Sequence, residues 1–248
     1  MDSTITSAPA PWTLTGDMYF FVHGTRSLCD GFNEKSDSTA QFTGGLGGIM
    51  LVRYHSSPVG PYDELFIIPG SYQYGDKTKY FHITQIYVSL MNSVVNGRRN
   101  WGVPKQLAIF KWSNNDQEVN IYLPNQTEPF CSLKFRKRFY CIPFINMLIP
   151  LSFRTILQRP LDGSYSDENY LRTQLSVRGW FRPIIELLEF RTDGIEIPSH
   201  KNLPVFNYGF SAESFTLLFP VPDVLVLKDS KFVEDKDILD ERKVFKVE

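Results

Sequence analysis

At 248 residues, with 26 basic against 27 acidic side chains, the chain can bury a full core and carries no electrostatic footprint for nucleic acid. Aromatic residues at 15%, with 16 Gly and 16 Pro, favour strands joined by frequent turns over helices. Cys29, Cys131 and Cys141 are odd in number and lack ligand spacing, which points to a reducing, cytoplasmic setting. Residues 1–11, rich in Ser, Thr, Pro and Ala, read as a loose segment ahead of a single domain, 12–248. Strand-like runs follow at 18–22, 48–55, 65–68, 82–88, 107–112, 119–123 and 130–135. Between the fourth and fifth, 89–95 can make about two helical turns, with Asn96-Gly97 as the C-cap. Residues 140–157 form the most apolar window, too short and too broken by Pro143 and Pro150 to span a bilayer. It reads as a helix packed over a barrel mouth; the preceding basic run Lys134–Arg138 also admits a wedge on a membrane surface. Later strands are expected at 170–177, 184–191 and 214–219, and the mixed charges of 228–248 suggest a solvated tail or edge helix. The expectation is a mainly β, α+β chain: one antiparallel, barrel-like β domain with a few short helices.

The most informative stretch is Gly97-Arg98-Arg99-Asn100-Trp101-Gly102-Val103-Pro104-Lys105. Pro104 fixes its own φ and extends Val103, while Gly102 permits a φ that a side chain would forbid. Lys105 therefore enters the apolar run 107–112 from a rigid turn, and that run suggests burial on both faces. An ammonium there is penalised by desolvation, and loss of its proton releases an amine that can attack a carbonyl. A lone buried amine of this kind should exchange for methionine without loss of stability. The plainer reading has Lys105 snorkelling from a strand end to solvent.

A second turn, Gly60-Pro61-Tyr62-Asp63-Glu64, feeds a carboxylate into another apolar strand. Glu64 and Lys105 each begin a strand after a Gly/Pro turn, so both are expected at the rim of one pocket, sharing a proton or a water. Other constellations do not rise. His23, His55, His82 and His200 are scattered without zinc-site spacing, and Gly44-Gly45-Leu46-Gly47-Gly48 lacks the Lys-Ser/Thr of a phosphate loop.

Together, Gly-x-Tyr-x-Glu before a strand and Gly-Arg-x-x-x-Gly-x-Pro-Lys after a short helical segment resemble the acetoacetate decarboxylase family. The resemblance implies that Lys105 is the Schiff-base lysine and Glu64 a polar pocket residue, with Arg98, Gln106, Trp101, Val103 and Tyr62 around the substrate. Arg98 can alternatively cap the helix and pin the turn. The departures imply a changed substrate. Gln106 stands where the family has a second lysine, and Val103 replaces a tyrosine. The region of the family's N-terminal arginine reads Leu14-Thr15-Gly16-Asp17-Met18, and that of a further glutamate is apolar, Gly48–Val52. Implied is a lyase-type enzyme acting on a carbonyl or β-keto acid substrate other than acetoacetate by decarboxylation, aldol or retro-aldol chemistry, dehydration or cyclisation. It would need no cofactor and no metal, and would be a cytoplasmic homo-oligomer of secondary metabolism without nucleic-acid or integral membrane partners. The alternative is an inactive module of the family that binds an apolar small molecule.

Overall fold

The computed structural model describes residues 5–24, 40–74, 77–113, 115–137, 142–145, 151–161, 163, 168–197, 205–228 and 231–234. Alternating apolar runs give the first strands: β1 (Trp12–Gly24), β2 (Gln41–Gly44), β3 (Leu46–Ser56), β4 (Tyr62–Ile68), β5 (Ser71–Gln73), β6 (Lys79–Phe81) and β7 (Gln85–Val88). The helix α1 (Met91–Trp101) leads into β8 (Lys105–Leu107), β9 (Ile109–Trp112), β10 (Glu118–Tyr122), β11 (Cys131–Lys137) and β12 (Ile142–Ile145). A 3-10 turn at Leu151–Arg154 precedes β13 (Thr155–Gln158) and β14 (Asn169–Gln174). The long strands β15 (Ser176–Thr192) and β16 (Val205–Phe219) follow, then β17 (Asp223–Lys228) and β18 (Lys231–Glu234).

The larger sheet runs in the order β8-β7-β4-β3-β1-β16-β15-β11-β10-β9, with β12 added to β15, and the smaller runs β18-β17-β14-β13-β6-β5-β2. The mainly β, α+β class holds, but neither sheet closes into a barrel. β8 and β9 follow one another in the chain without pairing, because Ala108 alone separates them, too little for the turn that would fold one back on the other. The pairing is also mixed, not wholly antiparallel. β7 and β8 are parallel, joined by α1 as a parallel pair requires, and β6 and β13 are parallel as well.

Each long strand of the larger sheet presents successive residues to opposite sides. Tyr19, Phe21, Ile49, Leu51, Leu65, Ile67 and Tyr87 meet Val119, Ile121, Phe130, Leu133 and Phe135 in a dry core. Cys131 lies in that core, and burial pushes its thiol well above the ordinary range, which suits a packing role. The opposite face of the sheet bounds a cavity described below. Tyr72, Tyr74, Leu157, Tyr170 and Leu225 form a second small core on the smaller sheet.

Several expectations are corrected. Residues 5–11 are tied down: Asn96 accepts from the Ala8 amide at 2.8 Å and donates to the Thr6 carbonyl, while Asn100 and Trp12 both donate to the Ala8 carbonyl. The window 140–157 contains no α-helix among its described residues; β12, the 3-10 turn and β13 occupy those, and 140–141 and 146–150 lie outside them. Residues 231–234 form a strand, while 235–248 lie outside the described residues. The run 107–112 is not buried on both faces, since Ile109 and Lys111 face out. Finally, α1 does not stop at Asn96-Gly97. It runs on to Trp101 and is capped by Gly102, whose φ of 64° is left-handed and whose amide bonds the Arg98 carbonyl at 3.0 Å.

Gly102 is also packed so closely that a Cβ would sit 2.0 Å from the Arg159 carbonyl oxygen. Gly102→Ala combines left-handed strain with a backbone collision. The expected loss is at least about 1 kcal/mol, a fall in Tm of roughly 2–4 °C or more for a chain of this size, measured by thermal melting.

Candidate active site

Lys105 opens β8 and Glu64 lies on β4, on either side of β7. Adjacent strands stand about 4.8 Å apart, so two spacings separate their backbones, a gap that a lysine stem crosses. Lys105 Nζ reaches Glu64 Oε2 at 2.8 Å although the residues are 41 positions apart. It also donates to Ser93 Oγ at 2.9 Å and to Tyr62 Oη at 3.4 Å, and lies 5.1 Å from the centre of the Tyr62 ring. The second carboxylate oxygen, Oε1, accepts from Tyr54 Oη at 3.2 Å. The Lys105 and Glu64 side chains are only 8% and 6% exposed, so the lysine does not snorkel to solvent. Burial, and then the neighbouring Glu64 carboxylate, pushes the Tyr54 and Tyr62 hydroxyls well above the ordinary tyrosine range, so both remain protonated at neutral pH.

Local sequence builds this arrangement. α1 buries Ser93, Asn96, Gly97 and Trp101, one face at helical spacing. The Lys105 stem lies across Gly97, where a Cβ would stand 2.6 Å from Cδ, and its amine ends at Ser93 one turn earlier. Arg98 holds the Lys105 carbonyl at 3.3 Å. Pro104 and the left-handed Gly102 turn the chain so that Lys105 points inward and Gln106 outward.

The pair lines a cavity of about 420 Å³. Its walls are the even-numbered positions of β3 and β4: Gly48, Met50, Val52 and Tyr54 on one, Tyr62, Glu64, Phe66 and Ile68 on the other. β1 supplies Trp12, Leu14, Met18 and Phe20, and β16 supplies Ala212, Phe215 and Leu217. Of the residues proposed around the substrate, Tyr62, Trp101 and Val103 line this cavity. Arg98 and Gln106 do not: Arg98 pins the turn, and Gln106 is exposed. Tyr54, Ser93 and Arg154 belong to the site without having been singled out. Tyr54 was readable in the register, since Tyr54 faces Tyr62 and Val52 faces Glu64 across the β3–β4 hairpin. Ser93 carries the weaker signal of standing four residues before Gly97 on α1.

Residues 39–142, which contain both motifs and both members of the pair, match the family model of acetoacetate decarboxylase. Over those residues the chain is similar to the acetoacetate decarboxylase family, as a divergent member would be. Among solved structures it resembles acetoacetate decarboxylase from Legionella pneumophila, with a TM-score of 0.59 and 16% identity, over 90% of this chain and 92% of that one. It also resembles the enduracididine biosynthesis enzyme MppR complexed with pyruvate, at TM-score 0.60 and 10% identity over 92% and 95% of the two chains. A third likeness is an acetoacetate decarboxylase-like enzyme from Sphingomonas wittichii RW1, at 0.53 and 10% over 95% and 98%. These identities establish the fold. No curated protein matches the sequence. Among the described residues no helix is long and apolar enough to cross a membrane, and no cluster of His, Cys, Asp and Glu could hold a metal ion.

The ion pair reverses the expectation that methionine would replace Lys105 without loss. Removing one partner leaves a buried carboxylate uncompensated, at about 3–5 kcal/mol. Lys105→Met is expected to lower the denaturant midpoint markedly, and Lys105→Met/Glu64→Gln to recover most of that loss, both read from unfolding curves.

Proposed function

We propose that the chain is a lyase-type enzyme in which Lys105 forms a Schiff base with a carbonyl substrate. The observation that carries this reading is a buried Lys105–Glu64 pair at 2.8 Å facing an otherwise largely apolar cavity. A proton passes from Nζ to Glu64 Oε2, leaving an amine and a carboxylic acid. The amine lone pair adds to the carbonyl carbon, and proton transfer from nitrogen to oxygen gives a carbinolamine. Glu64 then returns its proton to the departing hydroxyl, so water leaves and an iminium stands beside a carboxylate. The charge pair at the end is equivalent to the one at the start, so the site is arranged for both. Tyr54 donates to Oε1, the oxygen that takes no part in these transfers. The apolar walls hold water away from the iminium, which then serves as an electron sink for decarboxylation, aldol or retro-aldol cleavage, dehydration or cyclisation.

Substrate choice follows from the walls. Leu14 and Met18 line the cavity in the region where the family carries its arginine, and Asp17 between them turns away to accept from the Ser214 amide. Met50 and Val52 stand in the region of the further family glutamate. Among the described residues, the cations of the lining are Lys105, which is already paired, and Arg154, and neither comes from the region where the family carries its arginine. Acetoacetate is expected to turn over with a kcat/KM below about 10⁴ M⁻¹s⁻¹ in a carbon dioxide release assay, and larger apolar carbonyl compounds to bind better. The apolar lining also favours a second reading, a binding module without chemistry.

Borohydride reduction with an apolar ketone or aldehyde separates the two. The enzyme reading expects a reduced adduct on Lys105 by peptide mass mapping and none in Lys105→Met. Glu64→Gln should slow its formation while adding nothing in the Lys105→Met background. Ligand binding without an adduct would leave the binding module.

A further inference from the structure

The amine of Lys105 has three hydrogen-bonding neighbours, and they differ in where they stand. Glu64 Oε2 at 2.8 Å and Tyr62 Oη at 3.4 Å belong to residues that line the cavity, whereas Ser93 Oγ at 2.9 Å belongs to α1, is fully buried and is no part of the lining. Two neighbours thus face the space a ligand would fill, and one faces away from it. The lysine stem adds little freedom, since it lies across Gly97, where a Cβ would collide with it, and springs from a backbone held by Arg98. What remains is rotation of the amine about the Cε–Nζ bond, which has three staggered settings.

In the ion pair each of the three N–H bonds has an acceptor, so the setting of this rotor is immaterial. Transfer of one proton to Glu64 changes that. The neutral amine distributes two N–H bonds and one lone pair over three directions, and only a lone pair directed at the cavity meets a carbonyl carbon. With Ser93 as acceptor, one N–H stays turned into α1, and the lone pair falls on the cavity side in either of the two settings left. Without that acceptor, an N–H turned into α1 would be a buried donor with no partner, so both N–H bonds would go to Glu64 and Tyr62 and the lone pair would point into the helix. The serine's own proton is directed elsewhere. Burial and the Glu64 carboxylate raise the Tyr62 hydroxyl, and Ser93 opposes that rise, the sense expected when a serine donates to the phenol oxygen. A serine that donates there offers the amine only lone pairs and does not cap the nucleophile.

We propose that Ser93 is a positioning residue that aims the nucleophile: by holding one N–H of Lys105 against α1, it turns the lone pair freed by proton transfer toward the ligand. This rests on the Schiff-base reading for the electrophile, a carbonyl, and not for the aim of the amine itself. Ser93 does not border the cavity, so its loss acts on the rate of attack and leaves affinity for the ligand unchanged. A serine that only packed α1 beside β8 would act on stability and move both kinetic quantities together.

The test follows adduct formation on Lys105 of the full chain with hexanal and cyanoborohydride over a range of hexanal concentrations. Ser93→Ala and the nearly isosteric Ser93→Cys, whose thiol is a weak acceptor, are each expected to lower the limiting rate about tenfold or more, while the half-saturating concentration stays within about twofold. Ser93→Thr, which keeps the hydroxyl, should recover most of the rate; thermal melting checks that the variants compared are folded. A limiting rate unchanged in Ser93→Ala and Ser93→Cys, or a loss carried by the half-saturating concentration, would overturn the proposal. If hexanal gives no adduct with the unaltered chain, the Schiff-base reading falls. Arylation of Lys105 by 1-fluoro-2,4-dinitrobenzene then decides for Ser93, because it needs the same lone pair but no iminium: nitrogen bonds the ring carbon, fluoride leaves, and one proton of the resulting anilinium goes to solvent. Slower arylation in both Ser93→Ala and Ser93→Cys upholds the aim, and arylation at the unaltered rate overturns it.

Discussion

A charged amine and a carboxylate held together out of water constrain everything around them. Each alone would be penalised by several kcal/mol for leaving solvent, so neither tolerates the other's displacement. The surroundings reduce the freedom to separate. Ser93 accepts a hydrogen bond from Lys105 and Tyr54 donates one to Glu64, Gly97 leaves room for the lysine stem, and Arg98 holds the backbone from which that stem springs. Even the chain's first described residues contribute, because Asn96, on the same face of α1 as Ser93 and Gly97, is held by the backbone at Thr6 and Ala8. The pair is therefore the local outcome of contacts drawn from β3, β4, α1 and β8.

Much of this was legible from residue types. The Gly/Pro turns before Glu64 and Lys105 announced two polar groups at strand entrances, and most strands of the larger sheet followed from apolar alternation. What escaped has physical reasons. Short strands such as β5 and β6, three residues each, carry too little pattern to be separated from loops. Asn96-Gly97 imitates a helix end, yet Asn96 is spent on binding the N-terminal segment and Gly97 on admitting a side chain; only Gly102 has the left-handed backbone of a cap. Closure of the sheet could not be read from strand count, since it depends on whether β8 and β9 pair across the gap.

The run after Lys105 shows how apolar composition can mislead about burial. Ile109 is apolar but faces out, and what encloses the lysine is α1 beside it and the cavity wall, brought there by the parallel pairing of β7 with β8. Long-range register, not local hydropathy, decides which polar groups leave water. The same holds for Arg154, whose place in the cavity depends on how β13 docks beside β6.

The alternation of β3 and β4 has a consequence for how such a protein can change over generations. Odd positions such as Ile49, Leu51, Leu65 and Ile67 pack the dry core, while even positions such as Met50, Val52 and Phe66 border the cavity. Substitutions at the even positions border the cavity and are filtered in part by what it must hold, although Val52 and Phe66 also pack a buried cluster of their own; those at the odd positions meet close-packed neighbours and are filtered by folding itself. One pair of strands thus carries two separable records of selection. Drift in specificity can proceed along one face of the sheet with little penalty to the scaffold written on the other.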